Sequence, residues 1–329
     1  MKKKLNVGCS LGLNIERIPS TLKNLYGYPP FSVLNARDGD WQKRKREWIS
    51  IGIKSELGRT EKEEGKAYPN QDGLTKIMKD KNGKTKIDSG LCFGEIKNYD
   101  GSNRQMIGTS IFDPVLCELF YSWFCPLDGL ILDPFAGGSV RGIVASVLGY
   151  KYWGCDLRLE QIEANYEQSE NMCLNPDPIW AQGDSEIRLM EEDVPYADFV
   201  FSCPPYGDLE VYSKDPSDLG NMSYENFILK MGKIVNNSIK KLKDNRFACF
   251  VVSDFRDKKG FLRNFVSDTI SCFIDSGLSY YNEAILITAV GSLPVRVKRQ
   301  FDSGRKLGKT HQNILVFYKG DPKNIKSNF

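Results

Sequence analysis

Four short polar sites, each following a short apolar run, hold the residues of this chain best suited to bind and transform a small group. The first is Asp133-Pro134-Phe135-Ala136-Gly137-Gly138-Ser139. Glycines between a strand and a helix let the backbone approach a ligand closely. The second is Asp156, followed by Leu157 and lying 23 residues after Asp133. An acid about 20 residues past a glycine loop, ending the next strand, suits a ribose diol. The third is Gly183-Asp184, where a carboxylate can accept from an adenine amino group. The fourth is Ser202-Cys203-Pro204-Pro205-Tyr206. Two prolines fix φ and remove two backbone donors. The carbonyls of Cys203, Pro204 and Pro205 are then rigid acceptors beside an aromatic face, an arrangement that can grip an amino group and stack its ring. The glycine loop alone would fit any nucleotide-binding fold, and it does not read G-x-G-x-x-G. Four sites in register give it meaning, because ligands of open α/β sheets bind at the carboxyl ends of the strands.

The elements that must position these sites alternate from about residue 105 onward. Short apolar runs at 130–132, 151–155, 179–181, 198–201 and 247–252 read as strands. Between them, 113–124, 139–148, 158–173 and 224–243 read as helices. In the first, Val115, Leu116, Leu119 and Phe120 share a face; in the third, Leu159, Ile162, Tyr166 and Ser169 do. Residues 284–290 and 313–318 read as two further strands with no helix between them, pairing as an antiparallel hairpin at one edge. The pattern is that of βαβ units around a mostly parallel, seven-stranded sheet with helices on both faces. Upstream, residues 41–49 read as a short basic helix carrying Trp41 and Trp48, either a prop against the core or a DNA-reading element. Residues 58–90 read as a mobile loop, or a hairpin turning at Lys81-Asn82-Gly83, and 207–223 as a mobile loop closing over substrate.

The pairing of D-P-F-A-G-G-S with C-P-P-Y resembles the amino-methylating DNA methyltransferases, whose cofactor motif reads like D-P-F-x-G-x-G and whose catalytic motif is [D/N/S]-P-P-[Y/F/W]. Thr109-Ser110-Ile111-Phe112-Asp113-Pro114 looks like the segment that caps the methionine end of the cofactor in that family. The likeness covers roughly residues 105–320. A more specific likeness, to phage-encoded site-specific DNA methylases, rests on FSVLNARDGDWQKRKREWISIGIKSELGR, LDPFAGGSVRGIVA, FSCPPYGDLEVYS, NEAILITAVGSLPVR and KTHQNILVFYKG, and brings in the first hundred residues. The resemblance implies a Rossmann-like class I methyltransferase fold and S-adenosylmethionine as cofactor. It places Thr109, Ser110, Phe112, Asp133, Pro134, Phe135, Gly137, Gly138, Ser139, Asp156, Leu157 and Asp184 around the cofactor. Ser202, Cys203, Pro204, Pro205 and Tyr206 would hold the exocyclic amine of a flipped base, cytosine N4 slightly preferred over adenine N6. Two positions depart from the family: Ser139 stands at the third glycine, and Cys203 at the first residue of the tetrad. Cys203 admits covalent attack on a cytosine ring, but no cation lies near it in sequence to lower a thiol pKa.

Composition bounds the alternatives. The 329 residues suit one large domain with a small appendage. Residues 1–100 hold 20 Lys/Arg against 13 Asp/Glu, whereas 101–329 hold 25 against 29. A basic flank on a near-neutral body fits a polyanion partner, double-stranded DNA on this reading. The segment 291–312 carries Arg296, Lys298, Arg299, Arg305, Lys306 and Lys309 against the single acid Asp302, and reads as a phosphate contact. A single histidine, His311, excludes multi-His metal sites and reads as a phosphate or structural contact; no metal is expected. Nine cysteines without a C-x-x-C pair suit a reducing cytoplasm, of a bacterium or a phage-infected host, and no signal peptide or membrane span is expected. The division expected is a basic N-terminal region, 1–104, available for target recognition, and a catalytic region, 105–329. An RNA base, a protein amide, or an inactive DNA-binding scaffold are the rival readings.

Overall fold

The first four strands after residue 112 alternate side chains that pack on opposite sides of one sheet, which fixes what each helix must cover. In the computed structural model, the described residues are 21–53 and 112–329, apart from 173, 210, 211 and 292, together with four two-residue strands between 78 and 104. The main sheet has eight strands: β1 (Val33–Asn35), β2 (Leu130–Asp133), β3 (Lys151–Asp156), β4 (Ile179–Gln182), β5 (Ala197–Ser202), β6 (Leu242–Val252), β7 (Ser279–Ile287) and β8 (His311–Lys319). Their spatial order is β1-β7-β8-β6-β5-β2-β3-β4. Only β8 runs against its neighbours, pairing antiparallel with both β6 and β7. This is a Rossmann-like α/β arrangement, with the order of strands reversing between β2 and β5.

Period-two alternation divides the core. Ile131, Phe199, Phe201, Cys249 and Val251 face one layer, with helices α2 (Gly39–Ser50), α3 (Pro114–Phe124) and α4 (Val140–Val147). Leu132, Val200, Ala248, Phe250 and Val252 face the other, with α7 (Tyr224–Lys241) and α8 (Phe265–Asp275). Helix α3 starts where Asp113 accepts from the Val115 N–H and Pro114 takes the first turn, where no backbone donor is needed. Ser223 caps α7 in the same way through the Asn226 N–H.

Three expectations need correction. The sheet has eight strands, because β1 adds parallel to β7 and covers the hairpin edge. A helix, α9 (Leu293–Gly304), does separate the hairpin strands, and none of its residues is buried. Helix α5 (Leu159–Glu170) buries Gln161, Ile162, Ala164, Asn165 and Gln168, while Leu159 is 53% exposed. Polar residues take the buried face there because they hold the loop beside it. Upstream, Met78–Lys79 pairs antiparallel with Thr85–Lys86, as a hairpin around 81–83 requires. The rest of 58–90 lies outside the described residues.

The tryptophan helix is a prop. Trp41 and Trp48, seven apart on α2, are both buried in the main core cluster. The Trp41 indole N–H donates to Asp113 Oδ2 (3.2 Å) and that of Trp48 to Glu118 Oε2 (2.8 Å), and Arg44 pairs with Glu118. Substituting Trp41→Ala, 1% exposed in the native protein, is expected to cost about 3–5 kcal/mol in urea unfolding. A loss below about 1 kcal/mol would show that α2 is a separable appendage.

Candidate active site

Asp133 ends β2 at the reversal of strand order and has no exposed surface. A carboxylate there must be satisfied from within the protein. Arg141 Nε donates to its Oδ2 at 2.5 Å and the Tyr152 hydroxyl at 2.7 Å; the Ser202 hydroxyl donates to Oδ1 at 2.5 Å and the Phe135 N–H at 3.2 Å. The same guanidinium donates through Nη2 to the carbonyls of Phe135 and Ala136, 2.5 and 2.9 Å away, and lies 4.6 Å from the Phe112 ring centre. Burial works against the Arg141 charge, but the adjoining Asp133 more than offsets it and holds the pKa above the ordinary arginine value. Asp133 and Ser202, expected at the cofactor and at the target amine, do not line the cavity; they stand behind its wall and tie β2, β5 and the glycine loop together.

In front of this hub lies a cavity of about 290 Å³. Of the residues expected around a cofactor, Phe112, Pro134, Phe135, Gly137, Gly138, Asp156, Leu157 and Asp184 line it. Thr109 and Ser110 lie outside the described residues. Ser139 does not line the cavity either: it is buried, and its hydroxyl donates to Gln168 Oε1. Its φ of −66° needs no glycine. Gly137 does need to be glycine-like, with φ +50° and open space where a Cβ would stand. Its N–H donates to Asp156 Oδ2 (3.0 Å) and its carbonyl accepts from Asn165 Nδ2 (2.8 Å), itself beside Gln161. The Arg158 N–H takes the other Asp156 oxygen at 2.9 Å. Burial pushes Asp156 up to about 6, with the two N–H donors pulling the other way. Asp184 caps the short helix Ser185–Arg188 and pairs with Lys230 at 2.6 Å. Sequence reading missed Lys230, Gln161 and Asn165, since nothing local distinguishes them from surface polar residues.

Cys203, Pro204, Pro205 and Tyr206 line the same cavity. Tyr206 is fixed on three sides: edge-on to Phe255 and Phe265, with ring centres 6.2 and 6.0 Å away, and at its hydroxyl by a donor from Gln312 Nε2 (3.1 Å). Gln312, Thr288 and Leu286 come from the ends of β7 and β8 and line the cavity too, as do Ala36 and Lys45 from upstream. The fold also brings Arg141 into electrostatic contact with Cys203, a cation that sequence proximity did not offer. That guanidinium is already committed to Asp133 and two carbonyls. The loop after the tetrad is tied down: Asp218 accepts from the N–H groups of Tyr212, Ser213 and Gly220, and Tyr212, Ser217, Asp218 and Leu219 add to the wall.

The basic residues expected to contact DNA lie outside the cavity. Arg296, Lys298 and Arg299 sit on α9, and Arg305, Lys306 and Lys309 follow it. Lys298 pairs with Asp302. Burial lowers the Lys309 pKa, and burial together with Lys309 lowers that of His311, which stands at the start of β8 and does not line the cavity. Among the described residues, no group of three or more His, Cys, Asp or Glu could hold a metal ion. No helix among them is long and apolar enough to cross a membrane.

No family model matches the chain, and no curated protein does. Solved structures match in fold. TrmN from Thermus thermophilus is 12% identical at a TM-score of 0.43, over 63% of this chain; the chain spans about half (49%) of that protein's length. A putative RNA methyltransferase from Pyrococcus horikoshii is 17% identical at 0.39, over 63% of this chain and 82% of its own. Magnesium protoporphyrin IX methyltransferase from Synechocystis, solved with bound SAM, is 11% identical at 0.38, over 59% and 71%.

The hub sets a stability test. Arg141→Met leaves the Asp133 charge buried and is expected to cost about 3–5 kcal/mol in chemical denaturation. Adding Asp133→Asn removes that charge and should recover part of the loss. Equal stability of Arg141→Met and the native protein would refute the role given to the pair.

Proposed function

We propose that this chain is an S-adenosylmethionine-dependent methyltransferase that modifies an exocyclic amino group of a DNA base, cytosine N4 in preference to adenine N6. The observation that carries this reading is the Cys203-Pro204-Pro205-Tyr206 turn lining the same cavity as Asp156 and Asp184, where the strand order reverses. The residues present fit the cofactor. Asp156 offers a carboxylate oriented by two backbone donors to a ribose diol. Gly137 leaves its Cβ space open to a close neighbour, Phe135 and Leu157 give apolar walls, and Asp184 offers an acceptor to an adenine amino group. Phe112, over the Arg141 guanidinium, closes the methionine end. When bound, S-adenosylmethionine supplies a methyl carbon made electrophilic by its sulfonium.

The chain's own residues do the positioning. A base inside a duplex is out of reach, so the target is flipped into the cavity. Tyr206, locked by Phe255, Phe265 and Gln312, gives it a flat face. The Pro204 carbonyl and the group at Cys203 accept from the amino N–H groups, which leaves the nitrogen lone pair free to attack. Fixed acceptors that need no reorganisation are the main source of rate here. Outside the cavity, Arg296, Lys298, Arg299, Arg305, Lys306 and Lys309 take the phosphates of double-stranded DNA, and the basic region 1–104 contributes to target recognition.

Two measurements test this. The protein is expressed in a host without DNA methylation, and the digested DNA is examined by nucleoside mass spectrometry. N4-methylcytosine or N6-methyladenine is expected, and neither in a Pro205→Ala control. Modified nucleosides found in RNA alone would overturn the DNA assignment. The second is cofactor affinity against pH. Asp156 accepts from both ribose hydroxyls only when ionised, so affinity is expected to fall as pH drops through about 6. Asp156→Asn should bind more weakly and lose that dependence. In the cofactor-free protein the sign reverses: the raised pKa stabilises the fold below about pH 4, and that contribution is lost as pH rises through about 6.

A further inference from the structure

Between β6 and α8 the chain makes a small hairpin that the reaction described above leaves unused. The Arg263 N–H donates to the Phe255 carbonyl (2.8 Å) and the Asp257 N–H to the Phe261 carbonyl (2.9 Å), so residues 255 and 263 form its base. The tip is closed by Gly260 at φ +95°, by the Phe261 N–H to Asp257 Oδ1 (2.9 Å), and by Arg256 Nη1 to the Gly260 carbonyl (2.9 Å). This firmly built turn presents two large apolar side chains to solvent: Phe261 is 72% exposed and Leu262 58%. A third, Leu307, is 76% exposed, on the segment whose neighbouring Lys306 Nζ reaches Gly260. Water-facing apolar groups this large need a reason when a rigid turn holds them out.

Charge and position supply one. Arg256 and Lys306 meet the turn at Gly260, and Lys258, Lys259, Arg305 and Lys309 lie within a few residues of the three side chains in sequence, whereas Arg263 lies over the Tyr224 ring. The one acid in the turn, Asp257, is held below the usual carboxylate range by the turn's own N–H donors. An apolar tip flanked by cations matches the interior and rim of a nucleic-acid duplex, stacked bases between phosphate rows. The base of the hairpin backs the active site without lining it, since Phe255 packs edge-on against the cavity residue Tyr206 and against the space at Gly207.

We infer that the 256–263 hairpin is a wedge: Phe261 and Leu262 enter the base stack beside the target and occupy the gap left when the base turns out toward Tyr206. The inference rests on the DNA reading above. Filling the gap offsets the lost stacking, so the wedge matters only where a paired base must be extracted. Phosphate contacts from the surrounding lysines and arginines hold the duplex against the tip.

The test uses the full chain and a duplex carrying the methylated sequence, once that sequence has been mapped in DNA from the expressing host. Because both side chains are exposed, Phe261→Ala with Leu262→Ala should leave the unfolding midpoint unchanged. On the matched duplex the double variant is expected to lose about tenfold or more in kcat/KM. On the same duplex with an abasic site opposite the target, where extraction costs little, it should return to within about twofold of the native protein. An equal loss on both duplexes, or none on the matched one, overturns the wedge while leaving the methyltransferase standing. A native protein that methylates no DNA overturns both.

Discussion

One fully buried carboxylate organises this protein. Asp133 sits where the two halves of the sheet meet, and it can remain there only because Arg141, Tyr152, Ser202 and the Phe135 N–H satisfy it together. Each partner belongs to a different piece of the site. Arg141 comes from the helix after the glycine loop, Tyr152 from β3, Ser202 from the residue before the tetrad. Meeting one electrostatic demand thus sets the relative positions of the loop, β3 and the proline turn. Breaking the demand locally would loosen all three, since a partly satisfied buried network is worse than none.

A second layer of support comes from a face that is polar where helices are ordinarily apolar. Asn165 holds the Gly137 carbonyl, Gln161 steadies Asn165, and Gln168 takes the Ser139 hydroxyl. Gly137 is left in a left-handed conformation with its N–H aimed at Asp156. The loop is thereby rigid without side chains of its own, and Asp156 is half withdrawn from water, which is why its carboxyl is pushed up to about 6. Substitutions that make α5 a better amphipathic helix would remove these contacts and unfasten the loop.

The legible and illegible parts of the molecule differ by the kind of signal they carry. Strands β2 to β6 were readable because buried apolar runs end in Asp, Gly or Pro, and α3 because Val115, Leu116, Leu119 and Phe120 repeat at helical spacing. The cavity-facing part of the expected cofactor loop was readable for the same reason. What the sequence hid were elements stabilised at long range. The outer half of β7, Ser279 to Glu283, is exposed and lacks alternation, and α9 has no buried face at all. Apart from Ile162, the buried face of α5 is made of residues outside the expected stripe: Gln161, Ala164, Asn165 and Gln168. Gln312 reaches Tyr206 from 106 residues away at 3.1 Å, and Lys230 reaches Asp184 from 46 residues away at 2.6 Å. Asp133 and Ser202 were identified as functional residues, yet their function is exerted from behind the wall.

That last displacement bears on the unusual first residue of the tetrad. Ser202 is sealed against Asp133, so the side chain that opens the proline turn is Cys203, partly exposed and adjoining Arg141. Under the proposed reaction the essential acceptors are backbone carbonyls, and their placement follows from two prolines that cannot donate and from the hub that anchors β5. The first side chain then contributes one acceptor among several rather than the base itself. A methyl transfer driven by in-line positioning needs the amino group held more than it needs a proton removed beforehand, because attack by the lone pair precedes loss of the proton. A cysteine is compatible with that demand, whereas a mechanism requiring a carboxylate at this position would not tolerate it. The arrangement around Tyr206 points the same way: three neighbours immobilise an aromatic face, and none of them is a proton acceptor of high basicity.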